Sequence, residues 1–501
     1  MAYSLLFCVI VIASCGLIYE LIAATLASYL LGDSVTQFST IIGIYLFSMG
    51  IGSYLSKYFD KKLLDRFIEI EIAVGFFGGI LATCLFFLFE FVDQFRIILY
   101  CFVTLIGILV GLEIPILLRI LKDKIEFKDL VSKVLALDYI GGLFASLVFP
   151  FFFVPNFGLI STSFLFGLLN SFVAFWAIWI FRERLEDFKK LISMCSIVIL
   201  VLLIGLFYSE KISETLDNNF YSDKIIFTKK SPYQKLVVTS SQADVKLFIN
   251  GNLQFSSLDE YRYHEALVLP ALSFVKNPQN ILILGGGDGL AIREILTHVE
   301  DFEKITLVDL DPEMTKTFSE NLDLVRLNDG SLLEEKVEIF NEDAFIWTRN
   351  CEVKYDLIIC DFPDPSNYSL GKLYSNTFYN YISNILKDEG ILTVQSTSPF
   401  FAKKSFWCIE NTIRSTGFQT KPYHIFVPTF GEWGFVLASK KDFQKQNKFD
   451  LDSQFLNNEI LNSMFKFPKD ISEIPTEINK LNNQILIRYY SEEEERANKS
   501  F

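Results

Sequence analysis

Seven apolar stretches fill the first 208 residues of the chain, and charge becomes frequent only after them. Read at about 4–31, 39–56, 67–92, 97–118, 134–154, 157–180 and 191–208, each approaches the roughly 20 residues an apolar helix needs to cross a bilayer. A chain with 51% hydrophobic residues and 51 phenylalanines that still carries a formal net charge of -14 must segregate its apolar from its charged residues. The pattern predicts an N-terminal α-helical transmembrane bundle of about seven helices, multi-pass in the cell membrane, followed by a globular half. The first stretch has no basic leader, and its apolar run exceeds the roughly 7 to 15 residues of a signal peptide. It is expected to stay in the mature protein.

Glu20, Glu69, Glu71, Glu113 and Asp138 fall within or at the edges of these stretches, where an ionised group is costly and faces a partner, a polar cavity or the interface. Two readings stay open, a transport path or carboxyls satisfied inside the bundle and at its ends. Glycines between Gly43 and Gly52 and at Gly141 and Gly142 permit close helix contact. Basic residues gather in alternate connections: Lys57, Lys61, Lys62 and Arg66; then Arg119, Lys122, Lys124, Lys128 and Lys133; then Arg182, Arg184, Lys189 and Lys190. By charge those connections are cytoplasmic.

The acidic balance argues against a nucleic-acid partner, whose phosphates call for a basic patch. Eight cysteines without a C-x-x-C pair and three widely separated histidines indicate neither a disulfide framework nor a metal site.

Beyond about Tyr208, short apolar runs alternate with helical patterns, as in a soluble α/β domain. Lys224 to Phe255 reads as strands, with Asn250-Gly251 as a hairpin turn. From Asn280 the pattern is strand, glycine loop, helix. The strand ILIL runs into Gly285-Gly286-Gly287-Asp288-Gly289, and the next strand ends at Asp309. Glycines at such a turn let backbone approach a ligand, and an acid about 20 residues on accepts hydrogen bonds from ribose hydroxyls. The third glycine of the dinucleotide fingerprint is missing, because Leu290 follows. Further strand ends supply Asp343-Ala344 and Asp361-Phe362-Pro363-Asp364-Pro365. Ligands of open α/β sheets sit outside the carboxyl ends of the strands, so Asp288, Asp309, Asp343, Asp361 and Asp364 should converge on one crevice. Five acids exceed what a nucleoside needs and suit a polyamine, whose ammonium groups each take a charge-assisted hydrogen bond. Cys360 reads as a buried strand residue whose thiol the acids keep protonated.

At these residues the sequence resembles the spermidine synthase family of polyamine aminopropyltransferases, in its membrane-bound multi-span form. The resemblance runs from Ser231 to about Ser439 through SPYQ, the hairpin, YRYHEALVLPAL, GGGDG, VDLDP, EDAF, YDLIICDFPDP and VPTFGEWGFVLAS. It implies aminopropyl transfer from decarboxylated S-adenosylmethionine to putrescine, giving spermidine and methylthioadenosine with no metal or redox cofactor. By matched position, Gln234, Asp309, Asp343 and Ala344 would hold the nucleoside. Tyr263, His264, Asp288 and Asp364 would line the amine channel, and Asp361 would accept the proton. Asp309 stands where the family usually has glutamate, Ser366-Asn367-Tyr368 replaces a Gly-Pro step, and Phe430 stands where many members have tyrosine. Those departures leave the acceptor amine less determined than the reaction class.

The expected organisation is a bundle over 1–208, a small β-strand domain over 209–265, a Rossmann-like domain of the methyltransferase type over 266–442, and a C-terminal extension over 443–501 ending in a solvated or disordered acidic tail. Assembly as a homodimer or homotetramer is expected. Seven crossings with basic connections inside would put the second half outside. In the family's usual setting the co-substrate is made in the cytosol, and by that supply argument the catalytic half is expected to be cytoplasmic. An S-adenosylmethionine-dependent methyltransferase would explain GGGDG and Asp309 while leaving Asp361 and Asp364 without a task. A polyamine transporter with a ligand-sensing second half would use the acids of the apolar stretches.

Overall fold

Without water an apolar run can satisfy its backbone within itself only as a helix, and the first half takes that route. The structure, a computed structural model, describes residues 2–31, 34–92, 94–122, 124–242, 244–443 and 453–500. It divides into two compact units, Met1–Ser222 and Asp223–Phe501. The first unit packs seven long helices, Ala2–Leu31, Ser34–Leu55, Leu63–Phe91, Phe95–Leu121, Phe127–Val148, Val154–Phe181 and Phe188–Phe207, followed by a short one, Ser209–Phe220.

Six helical runs among the described residues are long and apolar enough to cross a membrane, one fewer than the sequence suggests, because Phe127–Phe181 forms a continuous run of 55 residues. That run is not straight. Gly158 leaves the helical region with φ 71° and ψ 179°, and the rings of Phe153 and Phe166 lie 4.8 Å apart, whereas 13 residues of straight helix would separate them by about 20 Å. The fold therefore treats the fifth and sixth stretches as two helices joined by a reversal.

Close approach is carried by particular glycines. A Cβ at Gly52 would lie 2.0 Å from the Ile108 carbonyl oxygen and one at Gly141 2.5 Å from that of Ile10, while Gly43 and Gly50 face nothing within 4 Å. The acids separate by position. Glu69 pairs with Arg66 and Lys190. Glu71 is buried and accepts from Asn170 Nδ2 at 3.0 Å. Glu113 is buried with one oxygen lacking a hydrogen-bond partner.

The three basic connections meet at one end of this unit. Arg119 reaches Asp60 at 3.1 Å, and Lys62 reaches Glu186 at 3.1 Å and Asp187 at 3.0 Å. Asp65 accepts the backbone N–H groups of Glu186 and Asp187.

In the second unit β1 (Lys224–Lys230), β2 (Lys235–Ser241), β3 (Asp244–Ile249) and β4 (Asn252–Ser256) form an antiparallel meander. Asn250 and Gly251 have the positive φ of 51° and 84° that a two-residue hairpin turn demands. The main sheet contains β5 (Asn280–Gly285), β6 (Lys304–Val308), β7 (Val337–Phe340), β8 (Tyr355–Asp361), β9 (Leu386–Gln395), β10 (Gln419–Val427) and β11 (Gly431–Ser439), in the order β10-β11-β9-β8-β5-β6-β7. Strands β5 to β9 are parallel, and β11 runs antiparallel to both β9 and β10.

Two boundaries and the state of the acidic tail differ from the sequence reading. Residues 209–220 are helical and belong to the first unit, so the β-domain drawn from 209 begins at Asp223. Helix Glu260–Leu272 runs across the boundary drawn between 265 and 266. The terminal acidic run, expected as a free tail, lies in helix Ile485–Ser500. Its first turn buries Ile485, Leu486 and Ile487, and that apolar anchor holds the charged turns against the domain. The part of the extension at 444–452 lies outside the described residues.

Candidate active site

Strand order reverses beside β5: the chain builds outward through β6 and β7, then returns to place β8 and β9 on the other side. A crevice opens at the carboxyl ends of the strands at such a switch point. Here Gly285 of β5 and Asp361 of β8 are paired neighbours. A Cβ on Gly285, whose φ is 82°, would come within 2.1 Å of the Asp361 carbonyl oxygen, so only glycine fits.

Asp309 closes one side of the crevice. Its carboxylate accepts from Gly287 N at 3.1 Å and Asp311 N at 2.9 Å, and burial pushes its pKa up to about 6 against those two bonds. The SPYQ turn is tied to the same place, since Ser231 Oγ donates to Asp311 Oδ2 at 2.8 Å and accepts the N–H groups of Tyr233 and Gln234. Asp343 caps helix Ala344–Asn350, accepting from Phe345 N at 2.9 Å. Its second oxygen pairs with Lys372, a partner that no local motif announces. Both carboxylate oxygens are thus engaged, and Ala344 is buried behind them.

Asp361 and Asp364 flank the other side. Tyr263 OH donates to Asp361 Oδ1 at 2.6 Å. Burial pushes the Asp361 pKa up to about 6, with Asp288 adding to the rise and His264 and Tyr263 opposing it. Asp364 accepts from Gln395 Nε2 at 3.2 Å, Thr397 Oγ1 at 3.1 Å and Tyr490 OH at 2.9 Å; burial raises its pKa and these donors hold it down. The prolines fix the loop's course, and Tyr374 OH donates to the Pro363 carbonyl at 3.1 Å. Cys360 is buried, and burial followed by the Asp361 charge raises its thiol pKa.

Helix Glu260–Leu272 presents Tyr263 and His264 to this edge. His264 Nδ1 lies 2.7 Å from Glu260 Oε2, and Arg293 forks onto the same carboxylate at 2.8 and 3.0 Å. Burial lowers the His264 pKa, but the Glu260 hydrogen bond and charge, with Asp288 and Asp361 behind them, lift it to about 9. Asp288 accepts from Leu290 N at 2.9 Å, and burial raises its pKa. Glu265, third in the Tyr-His-Glu run, does not join the crevice: it accepts backbone N–H groups from Gln454, Phe455 and Leu456. Phe430 packs 6.4 Å from Tyr263, ring centre to ring centre, and brings no hydroxyl.

Sequence reasoning missed Gln395, Thr397, Tyr490, Lys372, Glu260 and Arg293. Gln395 alone had a signal, since it ends β9 on the edge where the acids lie.

Residues 260–451 match the family model for the spermine/spermidine synthase domain. The chain is 51% identical over 485 residues to a polyamine aminopropyltransferase of Leptospira interrogans, covering 97% of each. It is 48% identical over 498 residues to polyamine aminopropyltransferase 2 of Ralstonia nicotianae, covering 98% of each. A solved spermidine synthase in complex with the transition state analogue AdoDATO superposes with a TM-score of 0.46 at 25% identity, covering 49% of this chain and 86% of that one. Since the two relatives align along nearly the whole length, helical half included, the chain belongs to the polyamine aminopropyltransferase family.

Proposed function

We propose that this enzyme moves the aminopropyl group of decarboxylated S-adenosylmethionine to putrescine, giving spermidine and methylthioadenosine. The observation that carries the reading is the gathering of Asp288, Asp361 and Asp364 beside the glycine loop, with Tyr263 fastened to Asp361 at 2.6 Å. The glycine loop, Asp309 and Gln234 hold the ribose side of the nucleoside; Asp343 and Ala344 hold its base. Asp361 takes a proton from the attacking ammonium, freeing the lone pair. That nitrogen then bonds to the methylene carbon next to the sulfonium, and the carbon–sulfur pair returns to sulfur, leaving a neutral thioether. Fixed carboxylates supply orientation as well as the base. Asp364 holds the distal ammonium. His264 with a pKa of about 9 carries a proton near neutrality and would repel an ammonium, so its part is to steady Asp288 and Asp361. Release of methylthioadenosine by the purified protein, given both substrates, tests this reading; its absence with every diamine tried overturns it.

The helical unit anchors the enzyme in a lipid membrane. Apolar side chains open to the surroundings on its long helices, such as Phe47, Phe172, Trp179 and Phe207, support this, because a water-facing helix does not sustain so much exposed apolar surface. The catalytic unit works on the cytoplasmic side, where its nucleoside substrate is supplied. The single basic end of the bundle pulls the other way by charge, and supply is given the greater weight.

A further inference from the structure

Helix Ile485–Ser500 is fastened at its middle. Glu493, buried, accepts the backbone N–H groups of Lys404 at 2.7 Å and Ser405 at 3.1 Å, and the Ser405 hydroxyl at 2.8 Å. This carboxylate satisfies first-turn N–H groups of helix Lys403–Arg414, which fixes the rotation of the terminal helix. On the helix so held, Tyr490 points its hydroxyl at Asp364, 2.9 Å away. Glu494 follows one turn later, and residues four apart share a helix face.

We propose that this helix forms the outer wall of the amine channel, with Tyr490 positioning Asp364 and Glu494 binding the far ammonium of longer acceptor amines. The inference rests on the aminopropyl-transfer reading and extends it to residues outside the span of the family model, 260–451. Asp364 has three donors and no cation: Gln395, Thr397 and Tyr490 are all neutral, and no ion pair among the described residues reaches Asp364. No ion pair among the described residues reaches Glu494 either. It lies one turn beyond Tyr490, on the helix face that meets Asp364, and partial burial, then the charge of Asp364, raises its pKa. Asp364 is half-buried and Glu494 is the more open to water of the two, so the pair forms a graded acidic series that a cationic ligand can follow inward. A flexible dication entering with one ammonium at Asp361 would lay its far end along that series, each contact charge-assisted.

The test is steady-state kinetics of the full-length enzyme at saturating decarboxylated S-adenosylmethionine, with diamines of increasing length. Glu494→Gln should raise KM for the longer diamines about tenfold and change kcat less. Tyr490→Phe should raise KM for every diamine, with methylthioadenosine affinity unaltered. Glu492→Gln, which removes only an exposed contact with Arg488, should leave KM alone and serves as the control. Unchanged KM values in both Glu494→Gln and Tyr490→Phe, with an active wild type, overturn the inference alone. A wild type that releases no methylthioadenosine with any amine overturns the transfer reading and the inference with it.

Discussion

Tyr263 and Asp361, 98 residues apart in sequence, share a 2.6 Å hydrogen bond in which the phenol donates to the carboxylate. Among the described residues no hydrogen bond reaches the other carboxylate oxygen, the one the proposed amine would meet. Asp361→Asn keeps the shape and an oxygen to accept from Tyr263, while replacing the other oxygen by an amide donor and so removing the base. Its kcat should fall on the order of 100-fold, with methylthioadenosine affinity retained by calorimetry. Turnover near the wild-type rate would remove Asp361 from the role of proton acceptor.

A base with its pKa pushed up to about 6 must be ionised to act, so kcat/KM for the amine should fall as pH drops through 6, by about tenfold per unit below it. Tyr263→Phe deletes a donor that stabilises the ionised form, and the acid limb should move to higher pH. Burial pushes the Asp309 pKa up to about 6 as well, so kcat/KM for the amine at saturating nucleoside is the quantity to follow. An unmoved limb in Tyr263→Phe would count against the assignment.

The Glu260, His264 and Arg293 group makes stability depend on pH with a definite sign. His264 is raised from 6.5 to about 9, so its contribution is fully present below 6.5 and is lost as pH rises through 9. Glu260 is lowered from 4.5 to about 2, so its share is present above 4.5 and is lost as pH falls through 2. The unfolding free energy of the wild type should decline between pH 7 and 9 by more than that of His264→Gln, the difference being on the order of 2 kcal/mol. Parallel curves would show that the imidazole is not the ionising group.

All the residues proposed to contact substrate lie in the unit Asp223–Phe501. A polypeptide beginning at Lys211 should fold and bind methylthioadenosine. If it is folded by circular dichroism yet silent in calorimetry, the helical unit completes the site.

Placement of the catalytic unit can be read from accessibility. A cysteine introduced at exposed Lys480, with exposed Cys101 replaced, should resist a membrane-impermeant thiol reagent in intact cells and react after lysis. Labelling before lysis, with any outer membrane permeabilised, would put the unit outside.

The crevice was readable because its parts are local. A glycine loop and an acid at the end of each neighbouring strand follow from spacing alone, and parallel topology brings those ends together. Partners contributed from far along the chain were not readable. Lys372 meets Asp343 across 29 positions and Tyr490 meets Asp364 across 126, and neither carries a local pattern. The acidic run misled because its composition is that of a solvated tail, whereas one buried glutamate, Glu493, and the apolar turn before it decide where the helix lies. In the bundle, composition located the helices, and the reversal at Gly158 rests on a single residue's φ that no hydropathy profile registers.

The clasp of Glu265 on residues 454–456, reaching across 189 to 191 positions, sets a timetable for biosynthesis. The helix carrying Tyr263 and His264 leaves the ribosome long before the segment that pins it, and Tyr490 emerges later still. The glycine loop and its strands can assemble while translation continues, as domains generally fold in order of synthesis. The edge with Asp364 cannot, because it waits for Tyr490. On the proposed roles, a nascent chain would hold nucleoside before it held an amine properly, and catalytic competence would follow the emergence of Tyr490.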